Sequence, residues 1–180
     1  MTASRRRAAP EAPPELDREA DPESVARSIV LRQLTNSPKS RAQLARKLAE
    51  RRVPEEVAEA VLDRFEEVQL VDDAEFARMW VRSRARTRSL ARGALKRELA
   101  EKGISGETAD QALAERSDDE EWEAAIGLVE RKLRAVADLS DPGEREKYTR
   151  RLAAMLARKG YAPSLAFRAV NEVLDGRARD

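Results

Sequence analysis

Between Arg78 and Lys102 the chain sets nine basic residues against two acids, Glu98 and Glu101. Arginine presents a planar fork that matches a phosphate, and several such contacts release counterions to give salt-dependent, largely sequence-independent affinity. Arg78, Arg82, Arg84, Arg86, Arg88, Arg92, Lys96 and Arg97 are therefore candidate contacts to nucleic-acid phosphate or to an acidic protein surface. The next stretch reverses the sign. Ser105 to Glu123 holds eight acids and one base, ending in Asp118-Asp119-Glu120-Glu121 before Trp122. A solvated helix face partnered by those acids is the competing account of the arginines; their crowding, with only Glu98 and Glu101 beside them, favours binding.

Other chemistry is scarce. Asp72 and Asp73 could be paired carboxylates or metal ligands, but no third oxygen ligand or phosphate cradle accompanies them, and two acids opening a helix suit its dipole. Phe76 and Trp80 could stack on unpaired bases; their i, i+4 spacing on an apolar stripe with Met79 and Ser83 favours a core role, as for Trp122. Histidine and cysteine are absent, which removes disulfides, thiol nucleophiles, Cys/His zinc sites and the commonest general base. No GxxxxGK[ST] loop is present. The expectation is a protein with no catalytic site, metal or cofactor.

The elements that carry these residues repeat. LARKLAERRVPEEVAEAVL from Leu44, LKRELAEKGISGETADQAL from Leu95 and LAAMLARKGYAPSLAFRAV from Leu152 are three copies of one helical phrase. Leu44/Leu48, Leu95/Leu99 and Leu152/Leu156 fall at i and i+4, on one helix face. A break follows each pair: Arg52-Val53-Pro54, Gly103-Ile104-Ser105 and Gly160-Tyr161-Ala162. A second helix then restarts, with Val57 and Val61, Thr108 and Ala112, and Leu165 and Ala169 facing inward. A third helix precedes each phrase: one from Asp21-Pro22-Glu23 with Val25, Ile29 and Val30 inward, one from Asp72-Asp73, and one with Trp122, Ile126, Val129 and Leu133. Ser40-x-x-Gln43 and Asp141-Pro142-Gly143-Glu144 read as capping patterns. Phe65, Val68 and Leu70 are expected to close the first unit, and Gly176 to end the last helix.

A hydrophobic content of 41% with only 4% aromatic residues in 180 argues for thin stacked units rather than one deep core. Ala, Leu, Glu and Arg dominate and alternating β-branched runs are missing, so the chain is all-α. The expected division is a Pro/Arg-rich disordered tail at 1–21, three-helix repeats at 22–71, 72–117 and 118–176, and a frayed end at 177–180. Net charge is +1 while 38% of residues are charged, so electrostatic information lies in segregation. No stretch resembles a signal peptide or membrane span, and the cytoplasm is the default. A freestanding helix-turn-helix DNA-binding regulator is the alternative. Against it, the helices that would read bases begin Pro54-Glu55-Glu56 and Ser105-Gly106-Glu107, placing acids where phosphate would approach.

VDDAEFARMWVRSR from Val71 to Arg84, with Asp73, Phe76 and Arg84 in register, and L-x-x-x-L-x-x-K-G-I from Leu95 to Ile104, resemble the RecX regulatory proteins of bacteria, which act on the RecA recombinase. The resemblance spans about Ser24 to Leu174. It departs at Val68-Gln69, where many members carry glycine, and at Thr87-Arg88-Ser89, in place of a glycine-proline turn. It implies an elongated, curved array of three tandem three-helix repeats and a protein without catalysis of its own. It further implies binding to RecA and its filament on single-stranded DNA, inhibition of ATP hydrolysis and strand exchange, and a place in DNA repair, recombination and SOS control. Asp72, Asp73, Phe76, Trp80, Leu95, Leu99 and Gly103 are its structural motif residues. A monomer with weak, non-sequence-specific affinity for single-stranded DNA is expected, with RecA as the main partner and no membrane association.

Overall fold

The computed structural model describes residues 21–133 and 141–177. Those residues form helices α1 (Pro22–Asn36), α2 (Arg41–Glu50), α3 (Glu55–Glu67), α4 (Asp73–Arg88), α5 (Arg92–Glu101), α6 (Gly106–Ala114), α7 (Asp118–Leu133), α8 (Pro142–Arg158) and α9 (Pro163–Arg177), with no strand among them. The starts follow from local chemistry. Asp21, Asp72 and Asp141 each accept the backbone amide three residues on, and Ser40 with Gln43 forms the reciprocal capping box.

The helices pack in threes. Val30, Leu44, Leu48 and Leu62 centre the first core; Phe76, Leu95, Leu99 and Ala109 the second; Val129, Leu133, Leu156, Val170 and Leu174 the third. Each is one seam of leucine and small residues from three short helices. Several expected positions move outward. Val25 is exposed while Ala26 takes its place, and Val68 and Leu70 are 59% and 56% exposed because Val71 closes the first core instead. Ser83 is exposed, and Val57, Thr108, Leu165, Trp122 and Ile126 are half-buried at the seam edges. Gly176 does not end α9, which continues to Arg177. Of the expected tail only Asp21 is described; residues 1–20, the insertion around 134–140 and 178–180 lie outside the described residues.

The three units are joined by one device used twice. At the first joint, the start of α2 meets the end of α5. The Ser40 hydroxyl donates to the Lys102 carbonyl (2.6 Å), the Arg46 guanidinium donates to the Glu101 carbonyl (3.1 Å), and the Arg41 amide donates to Asp73 Oδ1 (2.8 Å). At the second, the start of α5 meets the end of α8. The Ala91 amide donates to the Lys159 carbonyl (2.9 Å), the Lys159 ammonium donates to the Arg88 carbonyl (2.6 Å), the Tyr161 hydroxyl donates to the Ser89 carbonyl (3.0 Å), and the Arg92 amide donates to Glu121 Oε1 (3.1 Å). The carbonyls ending one helix thus accept from donors at the start of another, side-chain donors at the first joint and the Ala91 amide at the second, positive end to negative end. Ala91 is a poor cap by itself and has no side-chain cap bond; Glu121 of the next unit supplies an acceptor at the following amide.

Glycine makes the approach possible. Gly103 and Gly160 close α5 and α8 with φ of +81° and +88°. A Cβ on Gly103 would lie 2.2 Å from the Ala42 Cβ, and one on Gly160 would lie 2.1 Å from the Ala94 backbone nitrogen. Gly103→Ala and Gly160→Ala combine positive-φ strain with overpacking and should each destabilise by about 2–4 kcal/mol. Gly176→Ala, where a Cβ meets nothing within 4 Å, should be neutral or stabilise by up to about 1 kcal/mol. Thermal unfolding of the three variants measures the contrast, and equal melting temperatures would contradict the joint.

Asp73 adds a pH signature. Desolvation by burial raises its pKa, although the Arg41 amide and charge pull the other way. Folding therefore favours the neutral acid. The group's contribution declines as pH rises from the unfolded value through the raised folded one, and the ionised form is a standing cost at neutral pH. Asp73→Asn keeps the acceptor without the charge and should equal or exceed wild-type stability at neutral pH, the advantage vanishing below about pH 4. Asp73→Ala orphans the Arg41 amide and should cost about 1–3 kcal/mol. Denaturant unfolding across pH reads both.

Candidate functional site

α4 carries the arginines because Phe76, Ala77 and Val81 turn its apolar side into the second core. The remaining surface faces α7 of the third unit across an open groove of ≈ 560 Å³. Arg82 and Arg86 stand on one wall, Glu120 and Glu123 on the other, over a floor that includes Val81, Ala85 and Ala124. The groove unites the basic stretch with the acidic one. Arginines of α4 face glutamates of α7 across it, and Glu115 with Arg116 lines it between them.

Most of the candidate cations are already engaged. Arg78 and Arg82 share Glu75 (2.9 and 3.2 Å) and approach Glu115 (3.8 and 3.7 Å). Arg84 and Arg88 share Glu98 (3.5 and 3.7 Å), and Lys96 pairs with Asp110 (2.7 Å). Arg92 belongs to the second joint, where its guanidinium binds Asp118 and the buried Glu121. Of the eight candidate cations, Arg86 and Arg97 alone make no ion pair with another described residue. The sequence reading gave the arginines too few local acids because Glu75, Glu115 and Asp110 lie on neighbouring turns and helices rather than within the basic run. Exposed pairs of this kind contribute about 0–1 kcal/mol each, so Arg78, Arg82, Arg88 and Lys96 can exchange partners at little cost; Arg92 is tied to a buried carboxylate.

Trp80 differs from the core residue expected. Its ring is half-buried, stacked on Phe76 with centroids 5.8 Å apart, with Arg84 (4.2 Å) and Lys102 (4.8 Å) also over the ring, while its indole N–H donates to Glu98 (2.8 Å). These neighbours already crowd the ring that a base would need. Phe76 is 5% exposed and belongs to the core, as do Leu95 and Leu99. Asp72 caps α4, and Asp73 and Gly103 serve the first joint, so these motif residues hold the middle unit and its docking. Among the described residues no group of acids could hold a metal ion, and no helix is long and apolar enough to cross a membrane.

Sequence reasoning named Ser40, Asp73, Arg92, Gly103 and Gly160 in other roles and missed the joints that bring them together. Ser40 and Arg41 align with Ala91 and Arg92 at the repeat spacing, and that alignment was the available signal. Arg41 is the counterpart of Arg92: its guanidinium gathers Glu59, Asp63 (2.7 Å) and Glu66 (2.6 Å). Burial opposes the Arg41 charge, yet hydrogen bonds to Glu59 and Asp63 and the charge of Glu66 carry its pKa above the ordinary arginine value. For the middle unit, Phe76→Ala should cost about 3–5 kcal/mol. Trp80→Ala should cost about 1–2 kcal/mol, the loss of two half-exposed cation–π contacts and one hydrogen bond. Thermal melts that rank Trp80→Ala above Phe76→Ala would refute that order.

Three family profiles match the chain in succession: RecX first three-helix domain at residues 26–65, RecX second three-helix domain at 72–113, and RecX third three-helix domain at 118–170. The regulatory protein RecX of Streptomyces coelicolor is 49% identical over 160 residues, covering 89% of this chain and 83% of that protein. That of Thermobifida fusca is 47% identical over 83% and 79%, and that of Mycolicibacterium smegmatis 40% identical over 99% and 98%. A crystal structure of RecX from Lactobacillus salivarius superposes with a TM-score of 0.75 at 21% identity, covering 86% of this chain and 97% of that one, and so shares the fold. With three consecutive domains matched and relatives aligned over most of their length, the chain belongs to the RecX family of regulatory proteins.

Proposed function

We propose that this chain regulates the RecA recombinase, binding RecA and its filament on single-stranded DNA and inhibiting ATP hydrolysis and strand exchange, as a cytoplasmic monomer without a catalytic site. The units divide at 22–71, 72–117 and 118–176 in this reading. Membership of a family whose relatives are named regulatory proteins carries the proposal. The geometry supports it through the groove between α4 and α7. Opposed rows of arginine and glutamate over a small apolar floor suit a protein surface carrying both charges, and they fit a purely polyanionic ligand less well. Units in a row add weak contacts over successive protomers of a polymer through effective concentration.

A freestanding reader of DNA sequence is disfavoured. α3 and α6 begin with Glu55-Glu56 and Gly106-Glu107, so a major-groove approach by either would bring carboxylates to phosphate. Equimolar protein should inhibit RecA's DNA-dependent ATPase and strand exchange; unchanged rates would sink the proposal. Reversing Arg82, Arg86 and Arg88 to glutamate should weaken inhibition by about tenfold while helicity by circular dichroism is kept. Full inhibition by that variant would remove the α4 wall from the contact.

A further inference from the structure

The third unit holds a second charged cleft with a different character. It lies between the end of α7 and the outer face of α8 and has a volume of ≈ 380 Å³, within the size range of small-ligand sites. Lys132, Arg151 and Arg158 line it, and among the described residues no aspartate or glutamate does. None of the three makes an ion pair or hydrogen bond with another described residue, in contrast to the engaged cations of α4. Tyr148 and Met155, both half-buried, supply an apolar wall beside them.

Helical geometry sets the cations out along a line. Arg151 and Arg158 are two turns apart on one face of α8, about 10 Å along the axis, and Lys132 reaches the cleft from α7. Tyr148 sits one turn before Arg151 on the same side of α8, and both line the cleft. A row of unneutralised cations flanked by an aromatic ring is the chemistry that tracks a phosphodiester strand and stacks a base. The acids that would repel such a strand at α3 and α6 have no counterpart at the start of α9, which reads Pro163-Ser164-Leu165.

We infer that the cleft formed by Lys132, Arg151, Arg158 and Tyr148 in the third unit binds the backbone of single-stranded DNA, leaving the groove of the middle unit to protein. The inference deepens the regulatory reading by assigning the two ligands to two sites. It is tested without RecA, so its failure leaves the inhibition experiment standing and the reverse also holds. Fluorescence anisotropy of a labelled oligothymidylate would be followed as salt is raised, with the full chain.

The triple variant Lys132→Gln/Arg151→Gln/Arg158→Gln should bind at least about tenfold more weakly at low salt. The slope of log affinity against log salt should fall by about 2, three single-strand phosphate contacts at about 0.7 each. Tyr148→Leu should lose about fivefold or more with the slope unchanged, and Tyr148→Phe should bind as wild type. Arg82→Gln/Arg86→Gln should leave binding within about twofold. Thermal melts verify that each variant is folded. No binding by the wild-type chain at low salt, wild-type affinity and slope in the triple variant, or a larger loss from the Arg82/Arg86 pair would each overturn the assignment.

Discussion

Everything in this molecule depends on a helix end finding another helix end. Three thin cores of leucine and alanine are individually modest, and their arrangement in a row rests on the carbonyls that α5 and α8 leave unpaired at their C-termini. Those carbonyls accept from Ser40, Arg46 and Ala91 across the joint, and acids of the next unit, Asp73 and Glu121, cover the neighbouring amides. The satisfied groups are polar and directional. The joint therefore fixes angle and register, whereas contact between apolar faces alone would permit sliding.

The same joints consume charge. Arg92 collects Asp118 and the buried Glu121 across the second joint, while Arg41, whose amide serves the first joint, gathers Glu59, Asp63 and Glu66 from α3 of its own unit. Along α4 the cations are balanced more loosely by residues on adjacent turns and on α5 and α6. A chain with 38% charged residues and a net charge of +1 thus sorts its ions into three kinds: those locked in joints, those paired at the surface and exchangeable, and a few left facing solvent with nothing to neutralise them.

How much of this was readable in advance differs by level. The leucine pairs at i and i+4, the glycines after them and the capping residues named the helices and their grouping, because those signals are local and periodic. Unit edges were harder to read. Val68 and Leu70 look like core residues in sequence, yet Gln69 adopts a φ of 57° and the chain turns so that only Val71 enters. Pairing of the basic residues was invisible for another reason: Arg92 with Glu121 spans 29 positions and Lys96 with Asp110 spans 14, distances closed by the docking of units in the first case and by the packing of α5 on α6 in the second. Trp80 occupies its expected stripe and stacks on Phe76, but Arg84 and Lys102 cover the rest of it where further apolar groups were expected.

The repeat phrase departs from itself where the joint is not used. The position held by Gly103 and Gly160 is Arg52 in the first copy, which takes a φ of 58° with a full side chain. At the opposite end, alignment on Leu44, Leu95 and Leu152 would start α8 near Thr149, but the helix already begins at Pro142. The Tyr148 amide, counterpart of the Ala91 donor, is thereby spent inside α8. One face carries a side chain where contact demands none, and the other has two turns of helix where contact demands a free end. The surfaces that join the units inside the chain are thus not reproduced at its two outer faces: a repeated phrase yields ends that differ from its own seams.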